Sequence, residues 1–161
     1  MPEAFVAGLN DNTRSKVIDL LNARLADMVS LALATKQAHW NIKGPGFIGV
    51  HELLDDVADR LRESSDLIAE RAVILGGYAH GTAEVVAEKT TMAAYPLEEK
   101  DIQVHIEALR ERFLDVGAKI RGAIGEAGEI GDDDTEDLFT EVSRQIDKDA
   151  WFIAANAPVK G

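Results

Sequence analysis

Long stretches of this chain repeat apolar residues three and four positions apart, and no segment alternates apolar with polar over the length of a strand, so the polypeptide is confined to helices that each bury one face. Val17, Leu20, Leu21, Leu25, Met28 and Ala32 trace the first stripe, behind the candidate caps Asn12 and Thr13. The pattern breaks in Asn41-Ile42-Lys43-Gly44-Pro45-Gly46, where proline restricts the residue before it and glycine leaves helical geometry readily. A second helix is predicted from near Phe47, with Val50, Leu54, Val57, Leu61 and Ile68 on its buried side and a stop at Gly76-Gly77. From Tyr78 to Pro96 the pattern weakens, leaving at most a short crossover helix over Ala83 to Lys89. The cleanest stripe, Ile102, Ile106, Leu109, Phe113, Val116, Ile120 and Ile124, predicts a third long helix that ends among Gly122, Gly125 and Gly128. An acidic segment with no base, Glu126 to Asp137, follows; Thr135 is the candidate cap of a fourth helix containing Leu138, Val142, Ile146 and Ile153.

The expected fold is therefore all-α: four long helices with a long crossover between the second and third, which resembles the ferritin-like arrangement more than a simple up-and-down bundle. With 161 residues and 46% hydrophobic content, one domain over the whole chain is expected, short termini lying outside the bundle. The 17 basic against 29 acidic side chains give a net charge of −12, which favours cations over nucleic acid or anionic membrane as partners. Cysteine is absent, which excludes disulfides and thiolate metal sites. Neither a signal-peptide pattern at the amino terminus nor an apolar run of membrane-spanning length is present, so a cytoplasmic protein is expected.

The second helix carries the chemistry. His51 and Asp55 are four apart, as are Asp66 and Glu70, so each pair projects from one helical face. At about 100° per residue from His51, Asp55 falls near 40°, Asp66 near 60° and Glu70 near 100°, whereas the apolar stripe clusters around −100°. The four side chains point away from their own core, and two readings stay open: a solvated acidic face shared with Glu52, Asp59 and Glu63, or metal ligands. Asp55 and Asp66 are about 16 Å apart along the helix, too far to share one ion. A twofold axis that sets two such helices antiparallel would bring His51 and Asp55 of one chain to Asp66 and Glu70 of the next, giving two equivalent sites per dimer. Nitrogen and oxygen donors without sulfur suit Fe²⁺ or Mn²⁺, with Zn²⁺ a competitor. The Glu-x-x-His signature of in-bundle di-iron centres is absent.

Lys36-Gln37-Ala38-His39-Trp40-Asn41, then Gly44, Phe47-Ile48, Val50-His51-Glu52-x-Leu54-Asp55 and Asp66-x-x-x-Glu70-Arg71, closely resemble the Dps family, the DNA-binding proteins from starved cells. The likeness continues in order through Leu75-Gly76-Gly77, Tyr95-Pro96-Leu97, Ala123-Ile124-Gly125, Asp132-Asp133-Asp134-Thr135 and Trp151-Phe152-Ile153. The resemblance implies a ferroxidase centre shared between subunits, with His39, His51 and Asp55 from one chain and Asp66 and Glu70 from the other, and with Trp40 packed nearby. It also implies a hollow dodecamer that oxidises Fe²⁺ preferentially with hydrogen peroxide, dioxygen being the other oxidant, and stores ferric mineral. Asp132, Asp133, Asp134 and Asp137 resemble the family's threefold pore for iron, although helix capping or a solvated loop explains acids there equally simply.

Arg71 is a candidate for neutralising carboxylates or for an interface ion pair; His80 and His105, lacking partners at ligand spacing, read as polar loop and helix residues. Glu52, Asp56 and Asp59 are either mineral-nucleating or merely solvated acids. The competing function is nucleoid-associated DNA protection with secondary iron chemistry, but Met1 to Asn10 holds only Glu3 as a charged side chain and the residues after Trp151 only Lys160, so weak or absent DNA binding is expected.

Overall fold

A computed structural model describes residues 1–160 and forms them into α1 (Asp11–Asn41), α2 (Phe47–Ile74), α3 (Ala83–Lys89), α4 (Ile102–Ile130) and α5 (Asp133–Ala154), with no strand among the described residues. Helix α1 packs along α2 and α4 along α5, while α1 against α4 and α2 against α5 close the four-helix bundle; α3 lies in the crossover on α1. Leu21, Met28 and Leu31 of α1 meet Leu54, Leu61 and Ile68 of α2, with Ile106, Leu109, Phe113 and Ile120 of α4 and Phe139 of α5 completing a core from which water is excluded. Each such side chain contributes about 1.5–3 kcal/mol by leaving water, and this burial, rather than helix propensity, holds the bundle. No described helix is long and apolar enough to cross a membrane.

Three boundaries differ from expectation. Helix α1 starts two or three residues earlier than Asn12 or Thr13 would set it, because Asn10 is extended and its side chain accepts from the Thr13 amide at 2.9 Å. Helix α4 runs past Gly122, Gly125 and Gly128 to Ile130. Ala123 and Ala127, fully buried between those glycines, keep the helix docked, and the stop comes at Gly131, whose φ of +97° only glycine adopts readily. Thr135 lies inside α5: the cap is Asp132, which accepts from the Thr135 amide at 3.4 Å and hydroxyl at 2.6 Å.

Polar contacts fix the crossover on the bundle. Buried Asp27 of α1 accepts from the Thr91 amide at 2.7 Å and from the hydroxyls of Thr90 and Thr91. His105, placed by sequence among the polar helix residues, is 1% exposed; its Nε2 donates to the Glu99 carbonyl at 2.8 Å and its Nδ1 accepts from the Tyr95 hydroxyl at 2.6 Å. Burial pushes that hydroxyl's pKa up, so it remains a donor. Beyond it, the Lys43 amide donates to the Lys100 carbonyl at 2.7 Å and the Ile102 amide to the Lys43 carbonyl at 3.2 Å, tying the end of the crossover to the loop that joins α1 and α2.

Candidate metal centre

The loop between α1 and α2 turns the chain back so that the last turn of one helix meets the first turns of the next, and His39 and His51 are what meet there. Their rings stack at 3.8 Å and 12°, and Phe47 stacks on His51 at 5.0 Å and 26°. His39 Nδ1 donates to the His51 carbonyl at 2.6 Å, and His51 Nδ1 donates to the His39 carbonyl at 2.7 Å. A carbonyl only accepts, so both Nδ1 atoms carry the proton and, in the neutral rings, both Nε2 atoms keep a free lone pair. Tautomer fixing of this kind prepares imidazoles as metal ligands. His39 Nε2 stands 3.8 Å from Asp55 Oδ1, two acceptors converging on a place that a cation would fill.

Lys36, one helix away on α1, hydrogen-bonds that same Asp55 Oδ1. The Lys36 hydrogen bond keeps the Asp55 carboxyl below the usual carboxylate range, against the opposing effect of burial and with help from the charges of Lys36, His39 and His51. Lys36 and Phe47 stand in the sequence motif without a role of their own; Phe47 meets His51 one turn along α2, whereas only the packing of α1 on α2 brings Lys36 to Asp55.

Asp66 and Glu70 lie exposed farther along α2, on the same outward face, and do not join His39, His51 and Asp55. No group of three histidine, aspartate or glutamate side chains suited to hold a metal forms within the described residues of one chain. Trp40 is 67% exposed, with none of its own chain's rings stacked on it. Of the acidic cluster, Asp133, Asp134 and Asp137 are exposed while Asp132 is buried. Arg71 binds both oxygens of Asp132 at 2.9 Å and the Thr135 hydroxyl at 3.0 Å, so within the chain it joins α2 to the start of α5.

The ferritin-like domain family matches residues 18–157. Across 152 residues the chain is 48% identical to the DNA protection during starvation protein of Agrobacterium fabrum, covering 94% of each. The chain belongs to the Dps family. Solved Dps structures agree: that of Mycobacterium smegmatis, 33% identical, superposes with a TM-score of 0.91 over 96% of this chain and 93% of its own, and that of Microbacterium arborescens in a high iron form, 31% identical, with 0.85 over 93% and 97%. The fold of this Dps chain is thus the ferritin-like bundle expected from the long crossover. On its surface the candidate ligand face of α2 carries apolar side chains that a lone chain leaves in water, Ile48, Leu67, Val73 and Ile74, and Leu33 on α1 is exposed beside Asp66 and Ala69.

Proposed function

We propose that the protein is a ferroxidase and iron store: pairs of chains complete dinuclear centres in which Fe²⁺ is oxidised to Fe³⁺, preferentially by hydrogen peroxide, and a hollow dodecamer holds the ferric product. The observation that carries this reading is a divided ligand set. His39 and His51 have locked tautomers beside Asp55, while Asp66 stands about 16 Å farther along the same exposed face and Glu70 one turn beyond it, so one chain supplies two complementary halves and completes neither. Iron is the substrate; two imidazole nitrogens and up to three carboxylates would bind it, with Mn²⁺ or Zn²⁺ as competitors. Peroxide taking one electron from each of two ferrous ions, with two protons, leaves two waters and no hydroxyl radical, which is the protective value of pairing the ions. A cytoplasmic role in limiting oxidative damage follows.

The relatives' name, DNA protection during starvation protein, supports the same protective role and keeps direct DNA binding as the alternative. The test mixes two inactive parents. A His51→Ala/Asp55→Ala chain and an Asp66→Ala/Glu70→Ala chain, each assembled but slow with peroxide and Fe²⁺, are expected to recover a fraction of wild-type oxidation when coassembled, because some interfaces then hold one intact centre. Verified mixed particles without any recovery would sink the shared centre. Native mass of the wild type decides the assembly: a twelve-chain particle is expected, and a stable monomer would contradict it.

A further inference from the structure

We propose that Asp59 and Arg62 form reciprocal ion pairs with the same residues of a second copy of this chain, and that these pairs set the register of two antiparallel α2 helices. The inference rests on the shared centre. For that centre His51 must lie opposite Glu70 of the second copy and Asp55 opposite Asp66. Both pairings have the same midpoint on α2, between Arg60 and Leu61, so one twofold axis serves both.

Nothing in the ligand set refers to Asp59 or Arg62, yet they stand at equal distances on either side of that midpoint, and so do Ile48 and Val73. On the scale that puts His51 at zero, Asp59 falls near 80° and Arg62 near 20°, within the arc of the four ligands. Both side chains are exposed, and neither forms an ion pair within the described residues of its own chain. Arg62 borders the groove between α1 and α2 that also contains Lys36, Asp66, Leu33 and Ala69, the surface a second copy would cover. Each residue is about 2 Å along the helix from the axis, so the two helices stay close there at any crossing angle.

Charge complementarity then discriminates between registers. At the midpoint between Arg60 and Leu61, Asp59 faces Arg62 twice over. A slip of three residues in one sense sets Asp59 opposite its own copy, and in the other sense Arg62 opposite its own copy. Both slips place like charges at the centre of the interface, where water is thinnest and repulsion strongest.

The experiment uses the full chain with Asp59→Arg alone and Arg62→Asp alone, each checked for wild-type helix content. The first chain presents only cations at these positions and the second only anions. Each is expected to self-associate at least about tenfold more weakly than wild type, and the mixture to form heterotypic particles with association restored to within about threefold. Wild-type self-association of each variant with random mixing overturns the ion pairs, even where half-site complementation succeeds. A strong preference for the mixed pairing without half-site complementation upholds the register and removes the shared centre.

Discussion

Two imidazoles that donate to each other's backbone carbonyls have their tautomers decided before any metal arrives, so the cost of orienting them falls on folding rather than on binding. Asp55 is in a different position, because Lys36 already occupies it. A metal that recruits Asp55 must share it with an ammonium group, so Lys36→Met is expected to tighten Fe²⁺ or Co²⁺ binding, measured anaerobically by calorimetry. The gain should not exceed about fivefold, since ion pairs this exposed are weak. The same substitution removes the main cause of the lowered Asp55 pKa, and a carboxylate-resolved titration should show it returning upward toward the ordinary value of about 3.9. An unchanged Asp55 titration would show that the lysine does not hold it. The candidate ligand pairs stand out in the sequence because four-residue spacing on a helix is a local rule. Lys36 does not, because it reaches Asp55 across 19 positions and only after α1 has packed on α2.

Helix α5 begins at a junction that the acidic sequence describes in two ways at once. Asp132 caps the helix and accepts two hydrogen bonds from the Arg71 guanidinium, while its neighbours Asp133 and Asp134 face solvent. The run of acids could be read as pore or as cap, and the structure assigns Asp132 to the cap inside each chain; the exposed aspartates keep the pore proposal. Composition alone could not separate them, since the difference lies in which carboxylate meets Arg71, 61 positions away. Removing Asp132 should cost more than an ordinary cap, because half-buried Arg71 is left with only the exposed Asp134, at 3.9 Å, as an anion: Asp132→Ala is expected to lower unfolding free energy by about 2–4 kcal/mol in urea, and Asp132→Asn by less, since its amide oxygen still caps. Burial opposes ionisation of Asp132, but hydrogen bonds from Thr135 and Arg71 and the charge of Arg71 outweigh it, so its pKa is lowered in the folded chain. A lowered folded-state pKa contributes stability that is present above the unfolded value of about 3.9 and is lost as pH falls through the folded one. The wild-type advantage over Asp132→Asn should therefore persist at neutral pH and shrink below about pH 4; an advantage that grows in acid would contradict the sign. Boundaries such as this one, and the passage of α4 through Gly122, Gly125 and Gly128, were the least legible parts of the fold, because tertiary burial of Ala123 and Ala127 overrides the local signal of glycine.

At the scale of the whole molecule, charge decides what a particle built from such chains attracts. Each chain carries −12, and at least nine of its 17 lysines and arginines stand within 4.0 Å of a carboxylate, among them Arg14, Lys119 and Arg121 on the surface. Phosphate binding depends on several cations that can displace counterions together, and cations already neutralised by neighbouring acids release few. Lys160 adds one free charge near the end of the sequence, and assembly would repeat it, so weak retention of duplex DNA at low salt is compatible with this account. At roughly 0.15 M salt, where the screening length is about 8 Å, the repeated single lysines no longer act together across a particle surface dominated by acids. The 161-residue protein is therefore expected neither to retard duplex DNA in a gel nor to condense it in light scattering under those conditions, without divalent metal. Fe²⁺ uptake in the same buffer should proceed, since the same negative field that repels phosphate concentrates cations at the surface. Robust condensation of DNA at that salt would mean that a cationic surface forms in the assembly which the single chain does not display, and direct DNA binding would then displace iron storage as the leading function.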